Sequence, residues 1–467
     1  MKPYWLAFLP ITFAACAAHA APSPATQNWP QWRGPLANGI APNGNPPATW
    51  SETNNVKWKV KLPGRGTATP IVWENQIFIQ TAIPTGKKIE PPAEKAALSP
   101  QLQVAGAPQT PAEPPPGRRR PGGGGGGFGR GERPTEVHQF ALLSIDRQSG
   151  KTLWQQTVRE EVPHEGTHRD HGFASHSPIT DGQHVYSWFG SRGLHCYDLK
   201  GNSKWRKEFG QLRMKNGFGE GNSPALFGKT LVVTWDHESD DFIAAFDKDS
   251  GNELWRQSRD EGTSWATPFI VQHGGQAQVI ASASRKIRSY DLATGKLLWE
   301  CAGLGSNVIP TPVAGHDMVY AMSGHDGRKL LAIRLGRAGD LTGTDAVAWS
   351  LDKSTPYVPS ALLQGDLLYF FAGREGRLSC FDAKLGRPHY EAQPLEALQG
   401  VYASPVAAGG RIYLTGRNGA SAVIKHSEKL EVLATNRLDD RFDASPAIVG
   451  NELILRGHEH LYCIATK

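Results

Sequence analysis

The sequence predicts an all-β fold, an eight-bladed β-propeller of four-stranded antiparallel blades whose ring is closed by an N-terminal strand. Three observations predict it. A small hydroxyl residue followed by proline and an apolar run recurs as TPIV from Thr69, SPIT from Ser177, SPAL from Ser223, TPFI from Thr267, TPVA from Thr311, SPVA from Ser404 and SPAI from Ser445, with an altered copy, PSALL, from Pro359. A second pattern alternates with these anchors, apolar-x-D-x-x-(T/S)-G-x-x-x-W, in copies ending at Trp154, Trp255 and Trp299, with looser ones ending at Trp205, Trp349 and Tyr390. Finally, 52 Gly, 34 Pro and 14 Trp favour many short strands joined by turns over long helices.

Taken in order, residues 1–20 read as a signal peptide, with Lys2 ahead of a short apolar run and a small-x-small site at Ala18-His19-Ala20. Phe13-Ala14-Ala15-Cys16 also resembles a lipoprotein box, in which case Cys16 is lipidated and the mature chain is a membrane-anchored lipoprotein. Either reading takes the protein out of the cytoplasm, to the periplasm or another exported location. Residues 21–55 form an N-terminal extension containing WPQWRGP, and 56–467 the propeller. The last unit, from Ser445 to the C-terminus, lacks a fourth strand, and VKWKV at 56–60 supplies it; closing the ring removes exposed sheet edges. Within blade one, residues 84–137 are a Pro/Gly/Arg-rich insertion with nothing to bury, expected to be a disordered loop.

The formal charge of +6 is misleading, because Lys2 leaves with the signal and residues 84–137 hold eight Lys/Arg against five Asp/Glu. The folded remainder is nearly neutral, so no nucleic-acid partner is expected. Cys196, Cys301, Cys380 and Cys463 are dispersed with no C-x-x-C, and Cys196, Cys380 and Cys463 occupy equivalent strand positions, which marks them as buried packing residues.

The D-x-x-T-G-x-x-x-W units resemble the tryptophan-docking motifs of PQQ-like propellers, the quinoprotein alcohol dehydrogenase-like superfamily, over residues 56–467. The resemblance extends to the BamB-type assembly lipoproteins, which share the architecture without a quinone, and NWPQWRGP is similar to the leader of exported PQQ-like repeat proteins. A quinoprotein dehydrogenase would carry a vicinal Cys-Cys disulfide and a Ca²⁺ held by Glu, Asn and Asp beside an Asp base. There is no Cys-Cys here, and no such ligand set can be placed. Trp265, in TSWATP, is the only tryptophan directly ahead of an anchor and is the candidate floor for a planar ligand. No cofactor is therefore expected, with PQQ or a divalent metal as the alternatives.

In such a ring the B–C turns and the D-to-A connections share one face, where function concentrates. The turns contribute Arg192, Asp236, His237, Arg285, Arg374, Arg417 and His458, and the connections His171, Asn222, Trp265, Asn307, Tyr357, Tyr402 and Asp443. Guanidinium groups interspersed with aromatic rings suit an anionic or glycan-like ligand, or an envelope protein partner. The stretch HEGTHRDHGFASHSP at 164–178 contains H-E-x-x-H, but Pro163 and Gly166 make it a poor helix, and a zinc protease is not expected. It is instead an inter-blade loop whose His164, His168, His171 and His176 are the candidate metal ligands. GFGEGN at 217–222 matches no dinucleotide fingerprint, and WDHESDDF at 235–242 reads as an exposed acidic turn rather than a cation loop. The expected function is an exported, non-catalytic binding or scaffolding propeller. The alternative is a quinone- or metal-dependent oxidoreductase, or a hydrolase, using the loop 164–176.

Overall fold

The computed structural model describes residues 24–89 and 134–466, and there the chain makes eight antiparallel sheets of the expected order. Blade 1 holds strands A to D at Ile71–Trp73, Gln76–Lys88, Glu136–Asp146 and Thr152–Glu161. Blade 2 runs from Ile179–Thr180 to Ser203–Lys207, blade 3 from Ala225–Phe227 to Glu253–Arg259, and blade 4 from Phe269–His273 to Leu297–Ala302. Blades 5, 6 and 7 begin at Val313–Gly315, Leu362–Gln364 and Val406–Ala408. Blade 8 takes three strands from Ala447–Val449 to His460–Ile464 and its fourth from Val56–Lys61, paired antiparallel so that Lys61 faces His460 and Val56 faces Ile464. The expected closure is therefore observed. Among the described residues no helix is long and apolar enough to cross a membrane.

Residues 1–20, expected to be a signal peptide and including Cys16, and most of the insertion lie outside the described residues. At its margins the insertion is shorter than expected. Strand B continues through Lys88 and strand C resumes at Glu136, so blade 1 extends a hairpin where a loop was anticipated from 84 to 137.

The anchor hydroxyls have a structural task. The backbone N–H of Thr69 donates to Ser177 Oγ, Ser177 to Ser223, Ser223 to Thr267, Thr267 to Thr311, Thr311 to Ser360, Ser360 to Ser404, and Ser404 to Ser445, each at 2.9–3.0 Å. Seven successive links thus run in one sense around the axis, satisfying buried donors that have no ladder partner. The altered copy fits the rule, since Ser360 stands where the other anchors have their hydroxyl. At the blade 8–blade 1 seam the buried Arg456 guanidinium donates instead to Ala68 O and Gln80 O.

The second motif is a docking device. Asp146 Oδ1 accepts from the Ser149 N–H and hydroxyl, Asp247 from Ser250 and Asp291 from Thr294, which folds each C–D turn and places the next residue, Gly150, Gly251 or Gly295, at a φ of 71–74°. The preceding blade's tryptophan lies against that glycine. A Cβ on Gly251 or Gly295 would come within 2.6–2.7 Å of Trp205 or Trp255, and one on Gly150 would lie 2.7 Å from Val60 and 3.0 Å from Trp58. The indole N–H then donates to the turn's backbone, as from Trp205 to Lys248 O at 3.0 Å and from Trp255 to Leu292 O at 2.8 Å. Trp299 departs from this, donating to Gln278 of its own blade, because blade 5 replaces the tight turn with a longer excursion. That excursion adds Gly339–Asp340 as a parallel fifth strand on the outer edge of blade 4.

Each blade packs on both faces, so B and C strands are buried almost throughout. Phe78 and Leu142 of blade 1 meet Val185 and Tyr197 of blade 2, and Tyr320 and Ala332 of blade 5 meet Leu368 and Phe381 of blade 6. Cys196, Cys301, Cys380 and Cys463 are free and buried within these layers, which pushes their thiols up to about 11 to 12.

The WPQWRGP leader closes the lower end of the channel, on the side of the A–B turns. Trp29 bridges to Val72, Pro30 O accepts from the Thr180 N–H, and Ile40 bridges to Ala407. Arg33, 2% exposed, donates to Pro405 O, Ala361 O and Asn38 O; burial lowers it to about 9. Gly34 and Gly39 are required by this plug, since a Cβ on either would strike Trp29 or the Arg33 guanidinium at 2.7 Å.

Candidate functional site

With the lower end plugged, the open approach to the axis is from the upper face. Two long connections fold over it there, residues 162–178 between blades 1 and 2 and residues 208–224 between blades 2 and 3. The first behaves as a strap. On its own side His164 Nε2 contacts Leu212 O at 2.8 Å, Glu165 Oε2 accepts from the Met214 N–H, and the His168 N–H donates to Phe218 O. Further along, Ala174 O accepts from the Thr67 N–H near the blade 8–blade 1 seam.

The crossing is fastened by Asp170. Its Oδ1 accepts from Arg417 Nη2 at 3.1 Å and Arg441 Nη2 at 3.0 Å, and its Oδ2 from the Tyr402 hydroxyl at 3.4 Å. Arg417 also binds Asp443 through Nε and Nη2 and lies 3.8 Å above the Tyr402 ring. Asp443 Oδ2 contacts His458 Nε2 at 2.8 Å. Arg374 donates to the Tyr402 hydroxyl at 2.9 Å and faces the Tyr357 ring at 5.9 Å. The sequence-expected Tyr357, Arg374, Tyr402, Arg417, Asp443 and His458 are thus brought together over blades 6 to 8. Asp170 and Arg441 belong to the same cluster and were absent from the candidate set; the acidic residue inside the His-rich loop and the Arg two residues before Asp443 are the signals that pointed to them.

The other candidates, Arg285 apart, are used structurally. Arg192 is buried, paired with Glu161 and Glu220 at 3.0 Å and stacked 4.4 Å from the Phe140 ring. Asn222 accepts from the Trp188 indole and donates to Thr234. Asp236 makes a bidentate pair with the fully buried Arg259 and accepts from Ser264, while Asp241 accepts from the N–H groups of His237, Glu261 and Gly262. The stretch 235–242 is an exposed acidic turn only at its apex, residues 238–240; its flanking carboxylates, Asp236 and Asp241, are buried internal partners. His237 is buried and accepts from the Arg213 N–H. Asn307 Oδ1 receives Lys215 Nζ at 3.2 Å, and Arg285 stays exposed on the rim.

The four histidines do not converge. His164 is taken up by Leu212, and His168 Nδ1 receives the Asp170 N–H. His171 Nδ1 lies 2.9 Å from Ser175 Oγ over a glycine floor, where a Cβ on Gly219 would come 2.8 Å from its ring. His176 is 1% exposed, and neither ring nitrogen has a hydrogen-bond partner among the described residues. Burial lowers His171 to about 4 and His176 to about 3, so both stay neutral around pH 7. Among the described residues only Asp181, His184 and Asp249 bring three ligand atoms within 4.8 Å of one another, and Lys248 already pairs with both of those carboxylates. H-E-x-x-H is not helical here, so His164 and His168 do not share a face as zinc ligands would.

The residues also do not fit a planar quinone. Trp265 is 8% exposed, donates to Gly219 O at 2.7 Å, and lies against Gly221, where a Cβ would sit 3.2 Å from its ring. So little of the Trp265 surface is open that it does not offer a floor for a flat ligand.

A family model described as "Outer membrane protein assembly factor BamB" matches residues 140–389. No curated protein matches the chain. Similar solved structures include BamB from Moraxella catarrhalis, 14% identical, covering 70% of this chain and 88% of that one with a TM-score of 0.47. The quinohemoprotein alcohol dehydrogenase from Comamonas testosteroni is 10% identical, with 95% and 81% covered and a TM-score of 0.56. A europium-containing methanol dehydrogenase is 10% identical, with 93% and 90% covered and a TM-score of 0.53. At these identities the likeness to the solved structures is one of fold.

Proposed function

The chain belongs to the PQQ-like β-propeller family whose model is described as outer membrane protein assembly factor BamB, and on that premise we propose that it is an exported, non-catalytic scaffold that holds an envelope protein against its upper face. The observation that carries this reading is the convergence of Arg374, Arg417 and Arg441 with Tyr357 and Tyr402 over blades 6 to 8. Arginine and tyrosine are the residues on which protein interfaces concentrate their binding energy. The covered Trp265 and the dispersed histidines, with His164 and His171 held by hydrogen bonds and His176 buried, favour binding over a reaction in the channel.

Photocrosslinking in the native envelope tests the proposal. A benzophenone side chain at Glu375, beside Arg374, should yield a discrete crosslinked protein that is lost when Arg374 and Arg441 are changed to Glu. The same probe at Leu36, exposed on the lower face, should yield none. Equal products from both faces, or products indifferent to the charge reversals, refute it.

A further inference from the structure

Asp170 occupies a place made for a carboxylate. Donors from two connections and a turn, Tyr402, Arg441 and Arg417, meet on it, and it is the strap's only acidic group reaching blades 6 to 8. The guanidiniums nevertheless outnumber their carboxylates. Arg417 is already neutralised by a bidentate bond to Asp443, Arg441 has Asp170, and Arg374 has a hydroxyl and a ring but no carboxylate among the described residues. Fork-shaped donors of this kind select planar carboxylates.

Resting on the scaffold reading above, we propose that this cluster is a binding site for an aspartyl or glutamyl side chain of a partner protein, and that Asp170 is its internal occupant. The partner's acidic segment takes Arg441 and Arg374, and the strap is released from blades 7 and 8. A peptide is favoured over an acidic sugar for two reasons. The present occupant is an aspartate on a loop, so backbone on both sides is accommodated. The Tyr402 ring is covered by Arg417 at 3.8 Å, and Tyr357 is flanked by Arg374 at 5.9 Å and the His325 ring at 5.4 Å, which leaves no open aromatic platform for a sugar. Release would be local. The bonds of His164, Glu165 and His168 lie on the other side of the channel and hold the strap's base.

The test uses the whole protein, a fluorescein-labelled peptide of alternating Gly and Asp, and its Gly-Asn counterpart, read by anisotropy at low ionic strength. Asp170→Asn should bind the acidic peptide about tenfold more tightly than the wild type, because apparent affinity scales with the fraction of sites not self-occupied. Adding Arg441→Gln should abolish that gain, and the Gly-Asn peptide should not bind. In the wild type, the acidic peptide should raise amide hydrogen exchange across residues 169–173 and leave residues 164–168 unchanged. Equal affinity of wild type and Asp170→Asn, or a strap whose exchange ignores the peptide, overturns the proposal. So does an oligogalacturonate that shows the Asp170→Asn gain when the peptide shows none, since the occupant would then be a glycan. The scaffold reading stands or falls separately, on the crosslinks at Glu375.

Discussion

Replacing His176 by leucine should flatten the acid sensitivity of the fold. The ring is 1% exposed, neither nitrogen has a partner, and burial beside His171 and Arg192 lowers it from 6.5 to about 3. A histidine depressed in the folded state costs nothing above the unfolded value and destabilises as pH falls below it, because only the unfolded chain then takes up the proton. At about pH 5 the unfolded imidazole is 1.5 pH units past its midpoint while the folded one is still neutral, so with 1.36 kcal/mol per unit the loss is about 2 kcal/mol. His171, lowered to about 4, adds in the same sense. Glu261, which burial raises to about 7, acts oppositely, its folded-state proton uptake favouring the native state as pH falls from about 7 toward 4.5. The pH dependence of the wild type alone is therefore ambiguous, and the comparison with the variant isolates His176. Urea unfolding followed by tryptophan fluorescence at about pH 7.5 and about pH 5 should show His176→Leu losing about 2 kcal/mol less than the wild type between the two. Parallel losses in both proteins would refute the buried, neutral histidine.

Other expectations follow from the same framework. Asp236→Asn leaves Arg259 buried without its main counter-charge and should cost about 3–5 kcal/mol in denaturant unfolding. Gly251→Ala, at φ +71° with Trp205 2.7 Å from the new methyl, should lower the melting temperature clearly more than Gly228→Ala, at φ +59° with open space around it. Arg33→Met removes a buried cation from three carbonyls and should cost about 1.5–3 kcal/mol, read as a shift in the urea midpoint. The four buried thiols, raised to about 11 to 12, should stay inert to a disulfide reagent at neutral pH until the protein is unfolded.

The ring was legible in the sequence because its two recurring motifs are the two devices that build it. Proline and a hydroxyl must start each A strand, and Asp and Gly must shape the turn that receives a neighbour's tryptophan; both requirements act on nearest neighbours and repeat. The upper face was legible only in part. Arg192, Asn222 and Asp236 were placed correctly on turns and connections, but residue type does not reveal that the stretches 162–178 and 208–224 fold back and bury them. Tyr402 and Arg417 were singled out as candidates without their partner Asp170, because that contact joins positions 232 and 247 residues apart and no local pattern encodes it. The role of Trp29, Arg33 and Gly34 as a channel plug was equally out of reach, since it needs the carbonyls of distant A strands.

The pairing of Val56–Lys61 with His460–Ile464 sets a condition on how the molecule comes into being. Blades 2 to 7 each complete their sheet from residues close in sequence, so they can form in order as the chain emerges. The outermost strand of blade 8 is synthesised first and has no partner until some 400 residues later, and loop closure over that span makes the last step the slow one. Until then an unsatisfied strand edge stands open at the seam where Arg456 will lock blade 8 to blade 1. A chain folding after export would pass through that unclosed state every time, and it is the state a holding chaperone would have to recognise.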